Sequence, residues 1–296
     1  MDINAFLDYL EKEKKSSENT LLAYRRDVMA FNKYMMEHGS SIESATETDV
    51  ISYIMDMNKH GVSKATTNRK VSSLRAAYEY LMKTGSVEKD PTVGIKSART
   101  TRQDLDFLTV DEVDILLKQP DSSIKGKRDK AILEVLYGTG IRVIELIDMN
   151  YGDLNLRMGF LQCSGAHGRP RIVPLGSYAR TAISDYLRDS RPALLRDEEN
   201  KEAEDRPLFV NFMGERLTRQ GLWKVLSEYG KKAEMGSRIT PHILRTSFAV
   251  HMIQNGADVK TLQDLMGYDD VQALQAYLEL GNTRIKDVYD KTHPRA

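Results

Sequence analysis

The sequence predicts a mainly α fold with a small β-hairpin or sheet, arranged as an N-terminal helical bundle followed by a larger helical domain. Three observations lead there. Apolar residues recur at helical spacing in four successive segments between residues 2 and 83, with short polar breaks between them. Strand-like runs are confined to residues near 158–163 and 170–174, on either side of a turn rich in glycine. At 296 residues the chain exceeds one average domain, so two domains are expected.

In order, residues 2–14 carry Ile3, Phe6, Leu7 and Leu10 on one helical face, and residues 18–37 carry Leu21, Leu22, Val28, Met29 and Phe31 among charges. Residues 48–59 and 64–83 repeat the pattern. The last of these pairs a buried stripe of Val71, Leu74, Tyr78 and Leu81 with a side that holds Lys64, Asn68, Arg69, Lys70 and Arg75 and no acid between Ser63 and Ala77. That side is either a solvated face or one laid against DNA, with cations on phosphates and Lys64, Asn68, Arg69 and Arg75 as contact residues. An irregular basic stretch after Asp90-Pro91 reads as a linker, and the domains are expected at 1–95 and 109–296, with 96–108 between them. The second domain opens on a capping box, Thr109 with Glu112. Helices at about 125–138 and 143–149, the hairpin, a helix at about 177–190, a charged surface loop at 191–206 and a helical remainder from about 218 complete it.

Composition narrows the class. With 41% hydrophobic and 29% charged residues the sequence is that of a soluble globular protein. There is no run of about 18 apolar residues to span a membrane, and the N-terminus lacks the pattern of a secretory leader, so a cytoplasmic location is expected. Cys163, the single cysteine, suits a buried strand position. Net charge is zero, so any polyanion partner must meet basic residues sorted onto one face.

Two stretches carry chemistry. In Thr240-Pro241-His242-Ile243-Leu244-Arg245 a helix starting at Pro241 and capped by Thr240 puts His242 and Arg245 on one face near its positive end, an arrangement suited to a phosphate. In Gly138-Thr139-Gly140-Ile141-Arg142 glycines permit a sharp turn from which Arg142 projects, with Glu145 three residues on to hold it. No carboxylate cluster is spaced to bind a metal.

Together with Asn19-Thr20-Leu21-Leu22-Ala23-Tyr24-Arg25-Arg26-Asp27, Thr139 to Leu146, Arg171-Ile172-Val173-Pro174-Leu175, Pro241 to Ala249 and the tail Val288 to Ala296, these motifs run nearly end to end. The chain resembles the tyrosine recombinases of the phage-integrase class, and most closely the bacterial Xer recombinases. The resemblance implies a SAM-like core-binding bundle followed by a tyrosine-recombinase catalytic domain whose last helix, 283–292, docks on a neighbouring subunit. It implies a double-stranded DNA recombination site as partner and a tetramer on two sites, either of one chain or shared with a second recombinase. Strand exchange would proceed through a 3′-phosphotyrosine with no metal and no cofactor. By position, Arg142 and Arg245 match the phosphate-clamping arginines, His242 the histidine, Glu145 the supporting acid, and Tyr277, nine residues after Tyr268, the nucleophile.

Two positions depart from the family pattern. Tyr268 stands where the family has histidine or tryptophan, and its hydroxyl can still donate to a phosphate oxygen. Ala166 stands where the family has the lysine that protonates the leaving 5′ oxygen. His167 or Arg169 in the same turn would substitute, His167 being the better acid near neutrality. Otherwise the enzyme is slow, or the chain is a cleavage-deficient or regulatory relative, or a variant made to trap a DNA complex. Retained but altered activity is the favoured expectation.

Overall fold

Each of the first four helices begins on a side chain that caps it. Asp2 accepts amides at the head of α1 (Ile3–Lys12), Ser17 at α2 (Glu18–Glu37), Thr46 at α3 (Glu47–Lys59) and Ser63 at α4 (Lys64–Lys83). These oxygens satisfy amides that have no intrahelical acceptor. The computed structural model describes residues 1–96, 105–164, 170–195 and 203–268, together with 274, 275 and 277. The chain divides into two units between Gln103 and Asp104.

In the first unit, α1 to α4 close over Phe6, Leu10, Phe31, Met35, Val50, Leu74, Tyr78 and Leu81. Val28, Phe31 and Met35 form the buried stripe of α2, whereas Leu22 and Met29 are 47% and 53% exposed. These last two lie seven residues apart, so they share a second face that the sequence had merged with the first. Inside the bundle Asp27 of α2 is 4% exposed and receives the Arg69 guanidinium and the Ser73 hydroxyl, the latter at 2.7 Å. A buried carboxylate is tolerable only when so partnered, and this one ties α2 to α4.

The second unit packs around α6 (Ile124–Thr139), in which Ala131, Ile132, Leu133, Val135 and Leu136 are all buried. Ahead of it lies α5 (Val110–Leu117), headed by the expected Thr109–Glu112 box. Residues 105–108, read from the sequence as the end of a linker, belong to this unit: Leu108 is fully buried and donates to Ser247 at 2.8 Å, and Arg238 holds Asp106 at 2.9 Å. After α6 the chain turns at Gly140 (φ +60°), where a Cβ would lie 2.3 Å from the Phe248 ring, and enters α7 (Val143–Asp148).

Three antiparallel strands follow, β1 (Leu154–Asn155), β2 (Phe160–Ser164) and β3 (Pro170–Pro174), with Leu161 opposite Val173 and Cys163 opposite Arg171. The strand β1 is absent from the sequence reading because two residues are too few to show alternation. Cys163 is buried as expected, and burial pushes its thiol up to about 12.

The helix α8 (Ser177–Asp185) runs through one wide π turn, Tyr186–Ser190, into α9 (Arg191–Leu194). This corrects the surface loop expected from residue 191. Leu194 and Leu195 are buried, and Arg191 is 3% exposed because the carbonyls of Pro207 and Leu208 accept from its guanidinium. The run 191–206 therefore looks polar in sequence while its first turn is core. Last come α10 (Arg219–Lys232), α11 (Pro241–Gln254) and α12 (Val259–Met266).

Candidate active site

The α6–α7 junction builds the first corner of the site. Arg142 is the N-cap of α7, and Glu145, one turn on, accepts the Arg142 amide at 2.7 Å and its Nη1 at 3.2 Å. The predicted brace is thus a one-way cap, the carboxylate accepting the backbone amide, as well as an ion pair. The other end of the guanidinium donates to the Gly267 carbonyl.

The second corner is α11. Thr240 accepts the Ile243 amide at 3.1 Å, and Pro241 occupies the first helical position, as the sequence predicts. From there Arg245 points inward, 6% exposed, and donates to the Gly140 carbonyl and, at 2.7 Å, to that of Met266. Burial holds this guanidinium below the usual arginine range. His242 lies near the positive end of the same helix but is exposed.

Between the two arginines stands Tyr268, which follows the left-handed cap Gly267 of α12. The Arg245 guanidinium is 4.9 Å from the centre of its ring and that of Arg142 5.6 Å, within cation–π range. The Tyr268 hydroxyl lies 3.4 Å from that of Tyr277. Burial raises the Tyr268 phenol, but Arg245, the contact with Tyr277 and Arg142 outweigh it, so it sits below the ordinary tyrosine value. Tyr277 is 4% exposed, and burial with the Tyr268 contact pushes it up to about 12.

Sequence reading missed Arg171. On β3 it grips Glu145 with both terminal nitrogens, the Nη2–Oε2 distance being 2.9 Å, and its Nε donates to the Leu265 carbonyl at 2.7 Å. The signal was present: alternation puts Arg171 on the same side of the strand as buried Val173, and an inward arginine needs an acid. Two guanidiniums, Arg142 and Arg171, share the single carboxylate of Glu145, and Arg245 donates to backbone carbonyls close by, which leaves a cationic cluster suited to a phosphodiester.

The remaining candidates fall elsewhere. On α4, Lys64 is exposed and Asn68 half-buried, whereas Arg69 pairs with Asp27 and Arg75 donates to the Ile95 carbonyl. Ala166, His167 and Arg169, and the helix expected at 283–292, lie outside the described residues. Among the described residues no group of three or more His, Cys, Asp and Glu side chains is placed to hold a metal, and no helix is long and apolar enough to cross a membrane.

The family model for the phage integrase family matches residues 106–284, and that for the phage integrase N-terminal SAM-like domain matches 3–85. The chain belongs to the phage integrase family, whose class is that of the tyrosine recombinases, enzymes that cut and rejoin DNA at specific sites. Within it, the chain is 38% identical over 296 residues to the tyrosine recombinase XerD of Oceanobacillus iheyensis, covering 99% of this chain and 98% of that one. It is 39% identical to XerD of Listeria innocua, over 99% of each chain. In fold it is similar to the XerH recombinase bound to palindromic difH substrate in a post-cleavage complex, with a TM-score of 0.77, 18% identity and coverage of 97% and 84%.

Proposed function

We propose that the Arg142–Arg245–Tyr268–Tyr277 constellation is the strand-exchange site of a site-specific DNA recombinase, with Tyr277 as nucleophile. The observation that carries the reading is the convergence of two guanidiniums and two phenols from four separate stretches of chain. Arg142 and Arg245 meet the charge that builds on the non-bridging oxygens of the scissile phosphate, and His242 and Tyr268 donate to those oxygens. Glu145 holds Arg142. The Tyr277 oxygen forms a bond to phosphorus as the bond to the 5′ oxygen breaks. The Tyr277 proton leaves, the 5′ oxygen gains one, and a partner strand's 5′ hydroxyl later reverses both changes. The covalent bond keeps the phosphodiester energy, so no nucleotide is consumed.

The domains are assigned as a DNA-binding bundle, 1–95, a linker that ends before residue 105, and a catalytic domain that takes in 105–108 ahead of 109–296, acting in the cytoplasm. The partner is a double-stranded recombination site, and the working unit is a tetramer on two sites, of this chain alone or with a second recombinase. On α4, Lys64 is exposed and the better-placed DNA contact, whereas Arg69 and Arg75 are engaged within the bundle. A nicked duplex carrying a site that the chain selects from random DNA tests the reading. Wild type forms a covalent adduct on a denaturing gel and Tyr277→Phe does not.

Ala166 favours a second reading, a chain that occupies recombination sites without cutting. Under the first reading His167 or Arg169 supplies the leaving-group proton, or its supply limits the rate. General-acid catalysis contributes about 10²- to 10⁴-fold, so Ala166→Lys is expected to accelerate adduct formation if the proton is limiting. An unchanged rate in an active chain assigns the role to His167 or Arg169.

A further inference from the structure

One side chain of the second unit bonds both to the carboxylate that holds Arg142 and to the last turn of α12, next to the carbonyls that accept from the two clamp arginines. Arg171 leaves β3 and closes a two-point ion pair on Glu145, the carboxylate that holds Arg142 by backbone and side chain. Its Nε donates at 2.7 Å to the Leu265 carbonyl, in the last turn of α12. Immediately after come Met266 and Gly267, whose carbonyls accept from Arg245 and Arg142, and then Tyr268. At Gly267 (φ +63°) a Cβ would lie 2.8 Å from the Arg171 guanidinium, so the turn and the arginine are fitted to each other. Both partners are withdrawn from water, with side-chain exposures of 11% for Arg171 and 3% for Glu145. A bidentate pair so placed fixes orientation as well as charge.

We propose that Arg171 is a positioning residue that sets the phosphate clamp, orienting Arg142 through Glu145 and the Gly267–Tyr268 turn through the end of α12. It does not touch the phosphate. The role rests on the reading of the site as a strand-exchange centre, and it adds a fixed β3 anchor to that centre. By analogy with outer partners of metal ligands, which are worth about 10- to 100-fold, loss of the anchor costs chemistry more than DNA binding.

The test is single-turnover adduct formation on a nicked duplex carrying the site selected from random DNA. The duplex is prepared with an ordinary scissile phosphate and with a methylphosphonate, in which one charged oxygen becomes a methyl group. Wild type, Arg171→Ala, Arg171→Lys and Glu145→Gln are compared, with melting temperatures recorded in parallel. Arg171→Ala is expected to slow the phosphate reaction by about tenfold or more and the methylphosphonate reaction only a few-fold, because the charge that a misplaced Arg142 fails to meet is gone. Arg171→Lys, a one-point substitute, recovers part of the loss. If Arg171→Ala does not fold, the same comparison is decided with Arg171→Lys. Equal losses on the two substrates, or no loss in a folded variant, overturn the positioning role alone. Absence of adduct from wild type overturns the functional reading, and the positioning role with it.

Discussion

Glu145 shows how the site trades burial against charge. Burial drives its carboxyl up, but hydrogen bonds from Arg171 and from the Arg142 amide, with the charges of both arginines, more than offset this and hold it below the usual carboxylate range. A carboxyl depressed in the folded state stabilises the fold at pH values above its unfolded pKa. That contribution is lost as pH falls through the folded value. Glu145→Gln is therefore expected to destabilise the second unit by about 3 kcal/mol at neutral pH, the scale for removing one partner of a buried ion pair. Thermal unfolding followed from neutral to acidic pH checks this: the gap between wild type and variant narrows on acidification. A gap that widens, or one that is independent of pH, contradicts the assignment. The brace between Arg142 and Glu145 was legible in sequence because it spans one helical turn. Its third member, Arg171, lies 26 residues from Glu145, and a pair that distant is set by strand placement, which local spacing does not encode.

At the scale of elements, the α6–α7 turn links stability to the clamp. Gly140 adopts φ +60° against Phe248, and its carbonyl accepts from Arg245. Gly140→Ala meets both a left-handed backbone, worth about 1–2 kcal/mol, and a ring with no room for a methyl group. Loss of more than about 2 kcal/mol by chemical denaturation, with slower adduct formation in the folded fraction, is the expected result. The glycine was readable as a sharp turn, whereas its contact with α11 was not. The same division runs through α4. Its stripe of Val71, Leu74, Tyr78 and Leu81 is buried as the spacing predicts. The engagement of Arg69 with Asp27 depends on a partner 42 residues away, and a basic helix face conceals whether a cation is free or spent. The first turn of α9 escaped for a related reason, since carbonyl acceptors that make a buried arginine tolerable leave no mark on composition.

For the whole molecule, helical periodicity and capping residues gave the order and type of nearly every helix, because amphipathic segments carry their own signal. The strand pair was visible from its turn, but the sheet's third strand was too short to read. The site was legible where motifs are contiguous, as in Thr240 to Arg245 and Gly138 to Glu145. Tyr277 was chosen among fourteen tyrosines through the family resemblance, since nothing local distinguishes it. Its hydroxyl lies 3.4 Å from that of Tyr268, whose ring faces the two arginines. The most direct measurement is the covalent-adduct assay on a nicked duplex carrying the selected site. A protein–DNA adduct with wild type that disappears with Tyr277→Phe is the predicted result. No adduct with wild type, or an adduct that survives Tyr277→Phe, would contradict it.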